Sequence, residues 1–197
     1  MDLISRVQNL IIKPKDEWVK IKSETTPPMT LILSYAAILA AIPAIAQFIG
    51  YGLIGIRVPF LGNVRYPLGS SLLRAVLYYV FTLASVYGFG FVINLLAPNF
   101  GTKPNLQKAM QLSVYSMTIP FVAGIFYSIP SLGVLAGIAG LYGLYVLYLG
   151  FNNPMMDTPK DKIVTYVIVC MVVVVVLMLV VGLILGAIFA VGSVARF

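Results

Sequence analysis

The sequence has no histidine and a single cysteine, Cys170, and each scarcity closes off chemistry. One cysteine excludes a disulfide within the chain, and a lone thiol without histidine excludes a structural zinc centre of the Cys/His type. Cys170 lies inside an apolar run, where it reads first as a small buried hydrophobe and only second as a redox or lipidation site. Charge is scarce as well. Asp, Glu, Lys and Arg make up 10% of the residues, against about a quarter in soluble domains. The interiors of the apolar blocks carry no ionisable side chain, and Arg74 stands at the edge of one. Ion-coupled carriers and proton relays place such groups at mid-depth, so their absence argues against an active transporter. No nucleophile–base pair and no metal-binding cluster stands out, so no enzyme activity, metal or cofactor is expected.

What remains is a chain that is 60% hydrophobic with a mean hydropathy of +1.00. Five apolar blocks run from about Leu31 to Tyr51, Leu72 to Ala97, Ala109 to Tyr127, Leu132 to Phe151 and Ile163 to Ala195. A bilayer is crossed by roughly 20 helical residues. The fold class expected is therefore all-α: an integral membrane bundle of five transmembrane helices with a short N-terminal interfacial amphipathic helix. Residues 1–28 form the cytoplasmic interfacial segment and 29–197 the five-span domain. The first 28 residues lack the compact apolar core and small-residue site of a cleavable signal, so the first span is expected to stay as an uncleaved anchor.

The breaks have physical causes. Pro98, Asn99, Gly101 and Pro104 end the second block, since proline cannot donate to a continuing helix and glycine turns left-handed at little cost. "SIPSLG", Ser128 to Gly133, is a tight uncharged turn that makes the third and fourth spans a hairpin. "NNPMMDTPKDK", Asn152 to Lys162, is the polar connection before the last span. Within it Thr158, Pro159 and Asp161 form a helix-start signal. Ile163 to Ala195 is too long for one crossing of a ~30 Å core, and a break or interfacial tail is expected after Gly182.

Basic residues set the orientation. Arg6, Lys13, Lys15, Lys20, Lys22, Lys103, Lys108, Lys160 and Lys162 fall on one side, and Arg57, Arg65, Arg74 and Arg196 on the other. Positive-inside bias puts the N-terminus in the cytoplasm and the C-terminus outside. The net charge of +7 is thus topological, and no nucleic-acid partner is needed to explain it.

The opening segment "KPKDEWVKI" surrounds the only tryptophan. Before it, Leu3, Val7, Leu10 and Ile11 share a helical face with Asp2, Arg6 and Lys13 away from it. Pro14 starts a second helix with Asp16 and Glu17 in its first turn and Lys20 and Lys22 near its end, as the helix dipole favours. Asp16 and Lys20 are spaced to pair. Trp18 and Ile21 share a face that suits either the headgroup region or a dock against the bundle. Pro14, Asp16, Glu17 and Trp18, with Thr158, Pro159, Asp161 and Lys162, make a candidate cytoplasmic interaction surface. Within the spans, Gln47, Asn94, Gln111, Tyr115 and Pro120 make a candidate intramembrane polar cluster, read as a hydrogen-bond network before a pocket. Pro43 and Pro120 are potential kinks. Small residues recur at helical spacing (Ala36, Ala40, Ala44; Gly133, Gly137, Gly140; Gly182, Gly186, Ala190), a pattern for close helix packing within the chain or between copies.

Three stretches, "KPKDEW", "YSMTIP" (Tyr115 to Pro120) and "YVLYLGFNNPMMDTPKDKIVTYVIV" (Tyr145 to Val169), resemble the Yip domain family. The resemblance implies five spans and a cytoplasmic N-terminus. It also implies a setting of vesicle trafficking and membrane shaping, and the family is named for interacting with Ypt/Rab GTPases. Eukaryotic members carry a long cytoplasmic N-terminal region. Here about 28 residues precede the first apolar block, which puts a small GTPase partner in doubt and points to a prokaryotic member. The expected function is a non-enzymatic multi-pass membrane protein, a membrane-organising scaffold or trafficking component. Its expected partners are membrane lipids, other membrane proteins or further copies of itself. The alternative is a passive channel or lipid-translocating protein using Gln111, Tyr115 and Asn94.

Overall fold

The computed structural model describes residues 2–58, 62–152 and 155–194. Arg196 of the orientation argument lies outside them, as do the side chains of Arg57 and Ala190. Two short helices, α1 (Leu3–Ile12) and α2 (Pro14–Ser23), precede five helices long and apolar enough to cross a membrane. These are span 1 (Pro28–Ile54), span 2 (Leu68–Phe100), span 3 (Leu106–Ser128), span 4 (Pro130–Asn152) and span 5 (Lys160–Ala187). The five apolar blocks thus become five spans, each starting a few residues earlier than its apolar run because polar and proline residues form the first turn.

α1 begins at Asp2, whose carboxylate accepts from the Ser5 amide at 3.3 Å. Pro14 opens α2 at the one helical position where a missing N–H costs nothing. Span 1 contains Pro43 in its α-helical part and widens to π-helix at Ile32–Ala36 and Ile49–Ile54. Span 3 is interrupted. It runs α-helical over Leu106–Ser116, restarts at Thr118–Ala123 and tightens to a 3-10 helix over Gly124–Ser128. Pro120 sits in the first turn of the restarted segment, where an amide donor would have no helical partner anyway. Gly143 of span 4 makes room for it: a Cβ there would stand 2.9 Å from Pro120 Cδ.

The break expected after Gly182 is corrected, and one small element adds to the all-α fold. The last helix runs unbroken from Lys160 to Val194, 35 residues, straight through Gly182. In lipid a break would strand backbone donors and acceptors with no water to satisfy them, so continuity wins over the weak helix preference of glycine. Between spans 1 and 2, strands β1 (Ile56–Val58) and β2 (Gly62–Val64) form an antiparallel pair, with Ile56 opposite Val64. This hairpin was not expected. Gly55, at φ 88°, turns the chain into it, and Asn63 Nδ2 donates to the Ile54 carbonyl at 2.9 Å.

Span 3 is the most buried of the five and the least apolar, so the bundle is built around it. Ser113 donates to the Val86 carbonyl at 2.6 Å, joining span 3 to span 2. Tyr35 and Thr118 share a hydroxyl hydrogen bond at 2.9 Å, joining span 1 to span 3. Tyr166 donates to the Ile93 carbonyl and stacks on Phe100 with ring centroids 4.4 Å apart, seating span 5 against span 2. Ala36, Ala40 and Ala44 are all buried, and so is Cys170.

Candidate functional site: a buried ion cluster under the N-terminal helices

Helix periodicity assigns Arg6 to the polar face of α1, yet Arg6 is 3% exposed. Its guanidinium bridges two carboxylates. It meets Glu17 Oε1 at 2.8 Å and pairs with Glu24 through its second terminal nitrogen. Glu17 is itself 1% exposed, and its other oxygen receives Lys20 at 3.1 Å. Lys20 therefore pairs with Glu17 at i,i+3 and not with Asp16, which faces solvent. A charge this deep persists only when paired and hydrogen-bonded. Here one cation holds two carboxylates, and the ring of Tyr115 lies under the guanidinium with 5.2 Å to its centroid.

Trp18 takes the docked one of the two positions open to it. It is 0% exposed, and its indole N–H donates to the Val146 carbonyl of span 4 at 2.9 Å. Its ring meets Tyr115 edge-on at 6.2 Å, and Tyr115 meets Tyr35 at 5.0 Å. Gly150 permits this approach, because a Cβ there would lie 2.8 Å from Trp18 Cζ2 and 2.6 Å from Leu112 Cδ2. Val146 stands about 9 Å along span 4 from Asn152, at ~1.5 Å per residue. Tyr142, which donates to the Ile11 carbonyl at 2.8 Å, stands about 15 Å along it. The helix pair is thus sunk between the ends of the spans.

Span 3 secures the far end of α2. The last carbonyls of a helix lack intrahelical partners, and here side chains supply them. Lys108 Nζ donates to the carbonyls of Lys22 at 2.5 Å and Glu24 at 3.0 Å, and Gln111 Nε2 donates to Glu24 at 3.1 Å. A lysine at that end also meets the negative pole of the helix dipole. Gln107 adds a bond to the Thr26 carbonyl at 3.0 Å.

The residues singled out in the sequence divide accordingly. Pro14, Glu17 and Trp18 are buried in the cluster, whereas Asp16, Pro159, Asp161 and Lys162 are exposed. Thr158 is buried. It accepts from the Thr102 hydroxyl at 2.9 Å and donates to the Met156 carbonyl at 2.6 Å, joining the connections after span 2 and before span 5. Of the polar residues within the spans, Gln111 and Tyr115 belong to the ion cluster. Gln47 and Pro120 line a separate cavity toward the opposite end, and Asn94 is half-buried apart from both. Arg6, Glu24, Lys108 and Tyr35 were not picked out for the site. The signal for Arg6 was available: a lone arginine among Leu3, Val7 and Leu10, one short helix before Glu17. Around the cluster the helix pair leaves apolar side chains uncovered, with Ile4 at 62%, Ile12 at 71% and Val19 at 62% exposure.

Residues 9–193 match the family model of the Yip1 domain. The chain is similar to the inner membrane protein YohC of Escherichia coli K12, 29% identical over 133 residues that cover 68% of each chain. It matches the YohC of Escherichia coli O6:H1 to the same extent. No solved structure matches the chain. The chain belongs to the Yip1 domain family and is a multi-pass membrane protein.

Proposed function

We propose that this Yip1-domain protein is a non-enzymatic organiser of its membrane, and that its N-terminal helix pair works as a fixed wedge in the cytoplasmic leaflet. One observation carries the reading: α1 and α2 are tied to each other by Arg6, Glu17 and Glu24 and held to the spans through Trp18, Lys108, Gln111 and Tyr142, while Ile4, Ile12 and Val19 stay uncovered. An amphipathic helix displaces lipid headgroups in proportion to the apolar area it inserts. A free helix would pay ordering entropy on each insertion, whereas one held by the bundle is already in position. The nine basic residues gathered at this end favour a cytoplasmic placement. The exposed Asp16, Pro159, Asp161 and Lys162 form the surface offered there to other membrane proteins. A passive pore through Gln111 and Tyr115 is less favoured, since Gln111 donates to Glu24 and Tyr115 lies against Arg6.

The test is reconstitution at increasing protein-to-lipid ratio, with vesicle diameter read by cryo-electron microscopy. The wild type should shift vesicles to smaller diameters or tubules. Ile4→Asn combined with Ile12→Asn, which leaves the ion cluster intact, should lose most of that effect. Equal diameters for both proteins would remove the wedge.

A further inference from the structure

A second feature lies away from the ion cluster. Spans 2, 4 and 5, with parts of spans 1 and 3, enclose a cavity of about 430 Å³, within the ~300–1,000 Å³ range of small-molecule sites. The glycines of spans 4 and 5 do not bring helices together here. Gly137, Gly140 and Gly182 line the cavity, and a Cβ added at any of them would meet nothing within 4 Å. At these three positions the expected packing gives way to space, whereas a Cβ at Gly133 of the same stripe would meet the Tyr127 ring at 3.6 Å.

The cavity is polar at one end and apolar along most of its wall. Arg74 is the one charged side chain among its described lining residues. Tyr78, one turn further along span 2, lines the same end with Gln47 and Thr82. Beyond them the wall is Val86, Phe89, Leu144, Val174 and Met178. Arg74 lies about 9 Å into span 2 from Leu68. Span 2 has 33 residues, about 50 Å at ~1.5 Å each, so it overhangs a ~30 Å hydrocarbon core by roughly 10 Å at each end. With span 2 centred on that core, Arg74 falls at the boundary between headgroups and acyl chains. Tyr51 and Tyr66, in edge contact at 6.1 Å, mark the same level as an aromatic belt would, with Arg74 over the Tyr51 ring at 5.1 Å.

Charge complementarity names the occupant. All six acidic side chains (Asp2, Asp16, Glu17, Glu24, Asp157 and Asp161) belong to the N-terminal helices and the connection before span 5, at the other end of the bundle. Among the described residues, the Arg74 end carries Arg65 and Arg74 and no acidic side chain. We propose that this cavity binds one phospholipid with an anionic headgroup, its phosphate on Arg74 and an acyl chain along Gly137, Gly140 and Gly182. Guanidinium matches phosphate geometry, and the glycines give the chain its width.

Native mass spectrometry of the delipidated full chain, titrated with phosphatidylglycerol or with the phosphate-free diacylglycerol of the same acyl chains, tests the assignment. The wild type should prefer phosphatidylglycerol by about tenfold, the range of a charge-assisted hydrogen bond. Arg74→Gln should erase that preference and Arg74→Lys keep part of it. Gly140→Leu, or Gly182→Leu from the facing helix, should lower retention of both lipids by filling the cavity. Helical circular dichroism and the thermal midpoint report whether each variant is folded. Equal binding of the two lipids by the wild type would overturn the headgroup assignment. Undiminished binding by both folded leucine variants would overturn the cavity.

Discussion

Removing Arg6 asks the most of the ion cluster, because it leaves Glu17 buried without its main cation. Breaking a buried pair from one side costs about 3–5 kcal/mol. The lower end applies here, since Lys20 still reaches the other Glu17 oxygen at 3.1 Å, and a lysine so exposed recovers at most about 1 kcal/mol. A loss of about 3 kcal/mol is a factor of about 100 in the docking equilibrium of α1 and α2. Trp18 is the single tryptophan, so its fluorescence reports on that docking alone. In the wild type the indole should be blue-shifted and shielded from acrylamide. In Arg6→Ala it should shift to the red and become quenchable, while the spans keep their helical circular dichroism. The hydrophobic pair Arg6→Met with Glu17→Leu should restore most of the shielding, since well-packed apolar replacements of a buried ion pair are close to neutral. If Arg6→Ala leaves Trp18 as shielded as before, or if the double variant loses as much as the two single changes together, the ion pair is not what holds the helices.

Two further outcomes follow from the same geometry. Gly150→Ala should lower the thermal midpoint by the equivalent of about 1–3 kcal/mol of overpacking and disturb Trp18 emission, because its new methyl would meet Leu112 and Trp18 below 3 Å; an unchanged midpoint would mean that α2 sits elsewhere. With Cys170 buried, an impermeant maleimide on intact cells should label Asn63→Cys at once and Asp16→Cys only after permeabilisation; the opposite order would reverse the proposed orientation, and labelling of both at once would mean that span 1 does not cross.

The spans were legible because lipid demands long apolar helices and the breaks between them are made of proline and glycine. α1 and α2 were legible from the spacing of their apolar residues, with Pro14 marking the start of the second. Their docking was harder to read. Periodicity says which side chains share a face but not what the face meets, and Arg6 counts as polar until Glu17 and Glu24 come to it from a second helix. The Asp16–Lys20 pair was plausible on spacing, yet Lys20 turns to the buried carboxylate of Glu17, where its charge is worth more than in water. The break after Gly182 was inferred from length alone, because Ile163 to Ala195 exceeds one crossing, and length does not say whether a helix stops at the edge of the core or runs on past it. The small β-hairpin gave only three residues per strand, too few for an alternation to show. The glycines of spans 4 and 5 carried a pattern that packing and vacancy share, and only the positions of the neighbouring helices separate the two.

The placement of span 3 bears on how the chain enters its membrane. It is the least oily crossing and the one most surrounded by others, with Lys108, Gln111 and Ser113 near its start. Released singly into lipid, it would carry those groups without the carbonyls of Glu24 and Val86 that receive them and would partition weakly. The partners it needs are already made when it emerges, so it should leave the insertion machinery packed against span 2 and the end of α2.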